Sequence, residues 1–209
     1  MRLTENLILM RNMEKYNSLS EEKKKERDDL DYMDYMELRP RVIKRRRKYP
    51  ERGDVFVVSP FDGVYFFGIV LNNNIKYSDC YNALSVLIFK DYTTDIYNVE
   101  YTPDFDNAFF GPHIVTTLYW TNGYFYTVGK SEIPDDLDYG FMDSRDIWHD
   151  NYTKLTYEYL FVTEFGKPID HIPKNFGIYG LTTDIGVTMT IRMELIFDDS
   201  ILGNNSHNP

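Results

Sequence analysis

Between residues 53 and 71, two runs rich in β-branched and aromatic residues flank an Asp-Gly pair. Val55-Phe56-Val57-Val58 lies before Asp62-Gly63, and Tyr65-Phe66-Phe67 and Ile69-Val70-Leu71 lie after it. A tight primed turn demands a positive φ that Gly tolerates, so the segment predicts a buried β-hairpin. Gly68 interrupts the second run, and a missing side chain there predicts a bulge or a close backbone approach. No phosphate loop, strained nucleophile turn or metal box lies near it. The chain enters its globular part through a sheet.

The rest of the chain agrees with a β-rich reading. Its 209 residues allow one good-sized core with an appendage. Aromatic residues make up 16%, with 18 Tyr and 14 Phe, and large rings pack well on a pleated, half-buried surface. Asn72-Asn73-Asn74 marks a turn, and Ala83-Leu84-Ser85-Val86-Leu87-Ile88-Phe89 reads as a third strand. Residues 103–112 read as a loop with Phe109-Phe110 tucked beneath it. The runs 114–120 and 124–128 flank Thr121-Asn122-Gly123, a strong hairpin signal. Residues 131–151 read as an acidic loop with Tyr139, Phe141 and Trp148 as apolar anchors. Residues 155–163 read as a further strand, while 186–197 fit either a closing strand or a short helix. The expected fold is mainly β (α+β overall): an open or partly closed antiparallel barrel or sandwich with an N-terminal helical arm.

Three regions are expected: 1–48 as a helical arm and basic linker, 49–203 as one β-rich domain, and 204–209 as a polar tail. In the arm, Ser18-Leu19-Ser20-Glu21 fits a capping box, and no Gly or Pro interrupts the chain from there to Leu38. The basic run Arg41-Val42-Ile43-Lys44-Arg45-Arg46-Arg47-Lys48 reads as a linker, or as a strap on an acidic body. Charge divides the chain the same way. Residues 1–52 carry 15 Lys and Arg against 11 Asp and Glu, while 53–209 carry 8 against 22. An acidic body repels nucleic acid backbones and attracts basic partners.

Chemistry is poorly advertised. The single cysteine, Cys80, excludes an internal disulfide and a cysteine zinc cage. The N-terminus lacks the pattern of a secretory signal, and no apolar run reaches about 18 residues, so a cytoplasmic protein is expected. His113, His149, His171 and His207 form no metal-binding helix pair. His149-Asp150 has the composition of a base and its orienter, but a surface pair of this kind is commonplace. Asp143-Ser144-Arg145-Asp146 lacks the glycines of a nucleophile elbow, and the acidic loop lacks calcium-loop spacing. No catalytic residue, metal or cofactor is expected. Trp120, Tyr124 and Tyr126 compose a stacking platform for sugars or bases, with Tyr124 and Tyr126 sharing a face if the strand is regular.

Taken together, these segments resemble the immunity protein 26 family, antitoxins of bacterial polymorphic toxin systems. The likeness is carried by Gly53-Asp54-Val55-Phe56-Val57-Val58, Asp62-Gly63 with Tyr65, Phe67-Gly68-Ile69-Val70-Leu71 and Leu87-Ile88-Phe89. Gly111-Pro112, Trp120, Gly123-Tyr124-Phe125 and Tyr139-Gly140-Phe141 extend it. Ser59-Pro60-Phe61 departs from the family pattern, as does Ile69, where a basic residue is common. The resemblance implies a non-enzymatic inhibitor that binds a toxin made by the same cell. Many such toxins are nucleases with basic substrate grooves, which an acidic partner could occlude. On this reading the expected toxin interface is Asp135, Asp136, Asp138, Asp143, Asp146 and Asp150, with Tyr139 and Trp148 as apolar anchors. No membrane or nucleic acid partner is expected. The alternatives are an RNA-binding or ribonuclease-like small barrel using the basic 41–52 segment, and a carbohydrate- or peptide-binding module.

Overall fold

The computed structural model describes residues 2–45, 48–77, 80–97, 99–149 and 154–204, with the backbone alone for 2, 80–82, 145–149, 154–157 and 204. The N-terminal part contains β1 (Arg2–Leu3), α1 (Leu7–Ser18), α2 (Glu21–Asp31) and α3 (Tyr35–Leu38). The middle contains β2 (Asp54–Phe61), β3 (Val64–Tyr77), β4 (Cys80–Thr93), β5 (His113–Thr116), α4 (Leu118–Thr121) and β6 (Phe125–Lys130). The chain continues through β7 (Tyr139–His149), β8 (Lys154–Val162), β9 (Pro168–Ile169) and β10 (Asn175–Ile178) to α5 (Gly186–Phe197) and α6 (Ser200–Asn204).

Two five-stranded sheets result, one ordered β5-β4-β3-β2-β6 and the other β1-β8-β7-β10 with β9 also on β8. Among the described residues, pairings between these strands are antiparallel except β10 on β7, and an isolated bridge between Ile114 and Leu181 is also parallel. The architecture is a β-rich α+β sandwich, with no barrel closed among the described residues. The hairpin of β2 and β3 turns at Asp62-Gly63, where Gly63 has φ +81°. Pro60 lies where the register shifts between Val58 and Phe61, so its missing N–H falls at a bulge. At Gly68 a Cβ would stand 2.4 Å from the Phe56 ring, which is the close approach the sequence suggested.

Strand alternation sends the hairpin side chains into two different cores. Phe56, Val58, Phe66 and Val70 join Val86, Trp120 and Phe125 on one face, against Val187, Ile191 and Leu195 of α5. Val55, Val57, Phe67 and Ile69 join Leu87 and Phe89 on the other, beneath two long loops. A sheet covered on both faces reads as continuous apolar runs, as the 53–71 segment does. Its outer end packs on the second sheet, where Ile75, Ala83 and Ile114 meet Phe141 and Val162. The sheets also touch backbone to backbone. A Cβ on Gly111 would lie 1.8 Å from the Phe176 carbonyl carbon, and one on Gly177 would lie 1.9 Å from the Pro112 oxygen.

Four local expectations change. The Asn72-Asn73-Asn74 stretch is no turn but lies inside β3, where register shifts absorb it and Asn72 Oδ1 accepts from the Asn74 amide at 2.9 Å. Thr121-Asn122-Gly123 is not a hairpin turn. It ends α4, with Gly123 at φ +82° and its amide bonded to the Trp120 carbonyl, so β5 and β6 lie at opposite edges of the sheet. A glycine in the left-handed region closes helices as readily as hairpins, and burial of Tyr119 and Trp120 decides for the helix. Ser18 does not cap. Its hydroxyl donates to the Lys15 carbonyl, and Ser20 caps α2 by accepting from the Lys23 amide. Residues 139–149 are strand β7 rather than loop, because pairing with β8 buries Phe141 and Met142.

The helical arm packs on α5, which is helical although periodicity left it open. Its residues Val187, Ile191 and Leu195 face one core while Ile196 faces another with Leu30 and Leu38 of the arm. With two buried sides, the helix shows no single apolar stripe. Glu194 of α5 is buried and accepts from Arg11 and, at 2.6 Å, from Lys15 of α1. The basic strap is stitched down by its backbone. The Arg41 amide donates to the Ser59 carbonyl and the Ile43 amide to the Gly123 carbonyl.

Two outcomes test this packing. Gly111→Ala should cost upward of about 3 kcal/mol, because a backbone crossing has nowhere to move. Gly63→Ala, with open space around it, should cost only about 1–2 kcal/mol for its positive φ. Urea unfolding midpoints distinguish the two. His113 is buried with Nδ1 3.4 Å from the Thr182 hydroxyl, and burial pushes its imidazole down to about 4. Above pH ~6.5 both folded and unfolded states hold it neutral; as pH falls toward about 4, only the unfolded state takes up the proton. Stability should therefore fall by up to about 3 kcal/mol across that window. His113→Gln should flatten that part of a urea-midpoint profile against pH.

Candidate functional site

The acidic surface is built from two loops that cover one face of the central sheet. The first follows β4 and is pinned by aromatic rings: Tyr101 stacks on Phe67 at 4.0 Å, and Phe105 meets Phe89 edge-on at 5.8 Å. Its polar side is fixed by Asp91, which accepts from the Tyr101 hydroxyl at 2.8 Å and the Asn107 amide group at 3.1 Å. Burial, with Asp91 beside it, pushes the Tyr101 phenol far up. With these rings turned inward, Asp95, Glu100, Asp104 and Asp106 are left exposed.

The second loop joins β6 to β7. Ile133 and Leu137 enter the same core, and the Leu137 amide closes a turn on the Pro134 carbonyl at 3.2 Å. Glu132, Asp135 and Asp136 are exposed around that turn. Asp138 is tied differently, accepting from the Lys174 amide at 2.9 Å and lying 2.9 Å from His171 Nε2. Partial burial opposes ionisation there, yet the bonds from His171 and Lys174 hold the carboxyl below its usual range, while Asp138 raises His171 in return. Lys174 also reaches Asp106, so the segment before β10 staples the two loops together.

Between the loops lies an open cleft of about 1050 Å³, walled by Thr102, Pro103 and Phe105 on one side and by Glu132, Ile133 and Asp135 on the other. Arg52 and Lys130 stand among its lining residues, with Lys130 paired to Glu51 at 3.0 Å. Such a surface can bind a basic macromolecular face. It presents carboxylates on a ring-anchored frame, so few rotamers and no backbone need be ordered on contact.

The expected interface residues separate. Asp135, Asp136 and Asp138 belong to the second loop and so lie beside the first. Tyr139 opens β7, half-buried, with its hydroxyl donating to the buried Glu164 at 2.9 Å; burial and then Glu164 raise its phenol. Asp143 is half-buried in β7 opposite Leu160, Asp146 pairs in register with Tyr157, and Trp148 with Leu155. At strand spacing, Trp148 lies roughly 30 Å along the strand from Tyr139. Asp150 lies outside the described residues. The first-loop carboxylates Asp95, Glu100, Asp104 and Asp106 were missed because no run of charge marks them. Their signal is a polar residue beside each buried ring in a segment bounded by strands.

The other candidates resolve as structure. Trp120 and Tyr124 are buried, so they offer no stacking platform. Tyr126 faces the opposite core from Tyr124, which precedes the strand rather than lying in it. In the basic segment, Arg41 pairs with Asp62 at 3.1 Å, Lys48 with Glu51 at 3.4 Å, and Lys44 lies over the Tyr126 ring at 5.8 Å. Arg46 and Arg47 lie outside the described residues, as does His207; the side chain of His149 is not described. Among the described residues no group of three or more His, Cys, Asp and Glu is placed to hold a metal. No helix of the described residues is long and apolar enough to cross a membrane.

In an NMR titration, His171 should carry a pKa above its ordinary value of about 6.5. Asp138→Asn should lower it toward that value, with the smaller upward pull of Asp170 remaining. The charged tie is complete below the ordinary pKa and is lost as pH rises through the raised one. A His171 titration indifferent to Asp138 would mean the two loops are not stapled through this pair.

Against known proteins, the family described as Immunity protein 26 matches residues 51–154. No curated protein and no solved structure matches the chain.

Proposed function

Because residues 51–154 match the immunity protein 26 family, we propose that the chain binds a cognate protein toxin in the cytoplasm and silences it by direct contact. The family match over residues 51–154 carries this reading. That segment holds the central sheet and both acidic loops, so the matched part is also the part that displays the charge. Inhibition by occlusion needs a rigid scaffold and a complementary face, and no bond need be made or broken.

The interface we assign is the two-loop face: Asp95, Glu100, Asp104 and Asp106 from the first loop, and Glu132, Asp135, Asp136 and Asp138 from the second. Asp143, Asp146, Tyr139 and Trp148 extend it along β7 if the toxin is large. The partner chemistry is basic, as in a nuclease whose groove binds phosphate backbones. Charge complementarity of this kind acts mostly on the association rate.

The test is co-expression and co-purification with the toxin encoded beside the protein, followed by stopped-flow association. The triple variant Asp104→Lys, Asp135→Lys and Asp136→Lys should associate at least ten-fold more slowly at low salt and lose most of its salt dependence. The folded state should be unchanged, since all three residues are exposed. Failure of the unmodified protein to bind or protect against the toxin would end the immunity reading. Unaltered kinetics in the triple variant would move the interface elsewhere.

A further inference from the structure

A second cavity, of about 260 Å³, lies on the other side of the central sheet from the acidic cleft. It opens between α4 and the turn that leads into α5. Buried Tyr119 and Tyr124 wall it, and Leu118 and Leu181 stand at its rim, 60% and 37% exposed. Thr183 and Asp184 complete the side toward α5. Among the described residues lining it, Asp184 is the charged one.

The bonding of Asp184 is one-sided. Tyr35 donates its hydroxyl to Oδ2, and Arg39 donates to the same oxygen through Nε at 3.1 Å, with Nη2 also at 3.1 Å. Among the described residues, Oδ1 accepts no hydrogen bond. Arg39 meanwhile lies over the rings of Tyr35 and Tyr124, at 5.1 and 5.7 Å. The chain therefore already holds one guanidinium with this carboxylate and these tyrosines, and one carboxylate oxygen remains for another donor.

We infer that this cavity anchors one basic side chain, arginine or lysine, presented by a partner protein. Its volume falls below the ~300–1,000 Å³ of ordinary small-molecule sites, which suits a single side chain. Leucine and tyrosine walls accept a methylene stem, and the open carboxylate oxygen gives a charge-assisted bond. Apolar exposure at the rim is the dry border that such an anchor needs. The site lies apart from the acidic loops and does not depend on the identity of the toxin.

The test uses the full chain with labelled leucine methyl groups. The probes are Nα-acetyl-arginine N-methylamide, its lysine counterpart and the neutral citrulline counterpart. The arginine or lysine probe should shift the Leu118 and Leu181 methyl signals saturably, with a dissociation constant on the order of 1 mM. The citrulline probe and the Asp184→Asn variant should each be at least ten-fold weaker. Because Asp184→Asn also loosens Arg39 and Tyr35, Leu118→Lys is the second variant. It sets a competing cation at an exposed rim position, and should abolish the Leu181 shift with the fold intact. Equal binding of the citrulline probe, no saturable shift in the unmodified protein, or undiminished binding by Leu118→Lys would each overturn the assignment. Free arginine binding ten-fold more tightly than the blocked residue would make this a metabolite site and would equally overturn it.

Discussion

Burial of both faces of the β5-β4-β3-β2-β6 sheet is the constraint from which the rest of the architecture follows. A sheet with rings on each side must be covered twice. Helix α5, with the arm behind it, covers the face holding Phe56, Phe66 and Phe125. Two loops cover the face holding Phe67, Ile69 and Phe89. A loop that covers a core puts its rings in and its polar residues out. The acidic surface is thus the outer side of a hydrophobic lid, held as firmly as the lid is packed.

Buried polar groups then connect the layers at few points. Glu164 accepts from Asn72 at 2.8 Å and from Tyr139 at 2.9 Å, joining β3 to the start of β7 where the second acidic loop ends. Glu194 is held by Arg11 and Lys15, joining the arm to α5. A buried carboxylate stripped of its partner is strongly destabilising, by about 3–5 kcal/mol, so such nodes fix geometry even where their net contribution is small. Arg192 does comparable work with neutral acceptors, donating to the Pro60 carbonyl at 2.7 Å and the Glu37 carbonyl at 2.9 Å. The arm, the bulge of β2 and α5 meet at that one guanidinium.

The family resemblance rests partly on glycines, and their surroundings explain why. Gly68 admits the Phe56 ring, and Gly111 admits the backbone of Phe176 and Gly177. These positions preserve how closely layers approach. The charge that would meet a partner is displayed on loops, where sequence can vary without disturbing those approaches. The close approaches of the fold and the proposed binding face are therefore written in different residues.

The hairpin at Asp62-Gly63, the strand through Ala83 to Phe89 and the strand from residue 155 were legible because alternation and turn chemistry act over a few residues. The sequence by itself also determined the acidic body and the β-rich class, since composition and charge need no partner to be read. Asn122-Gly123 could not be read alone, because one left-handed glycine ends a helix or turns a hairpin, and only the burial of Trp120 selects between them. Likewise 139–149 is a strand because β8 lies beside it. Which carboxylates share a surface was decided by tertiary structure alone. The loop carrying Asp104 and the loop carrying Asp135 wall one cleft because apolar side chains far apart in the chain, Tyr101 and Ile133 among them, are drawn into the same core, and that burial acts without regard to sequence distance.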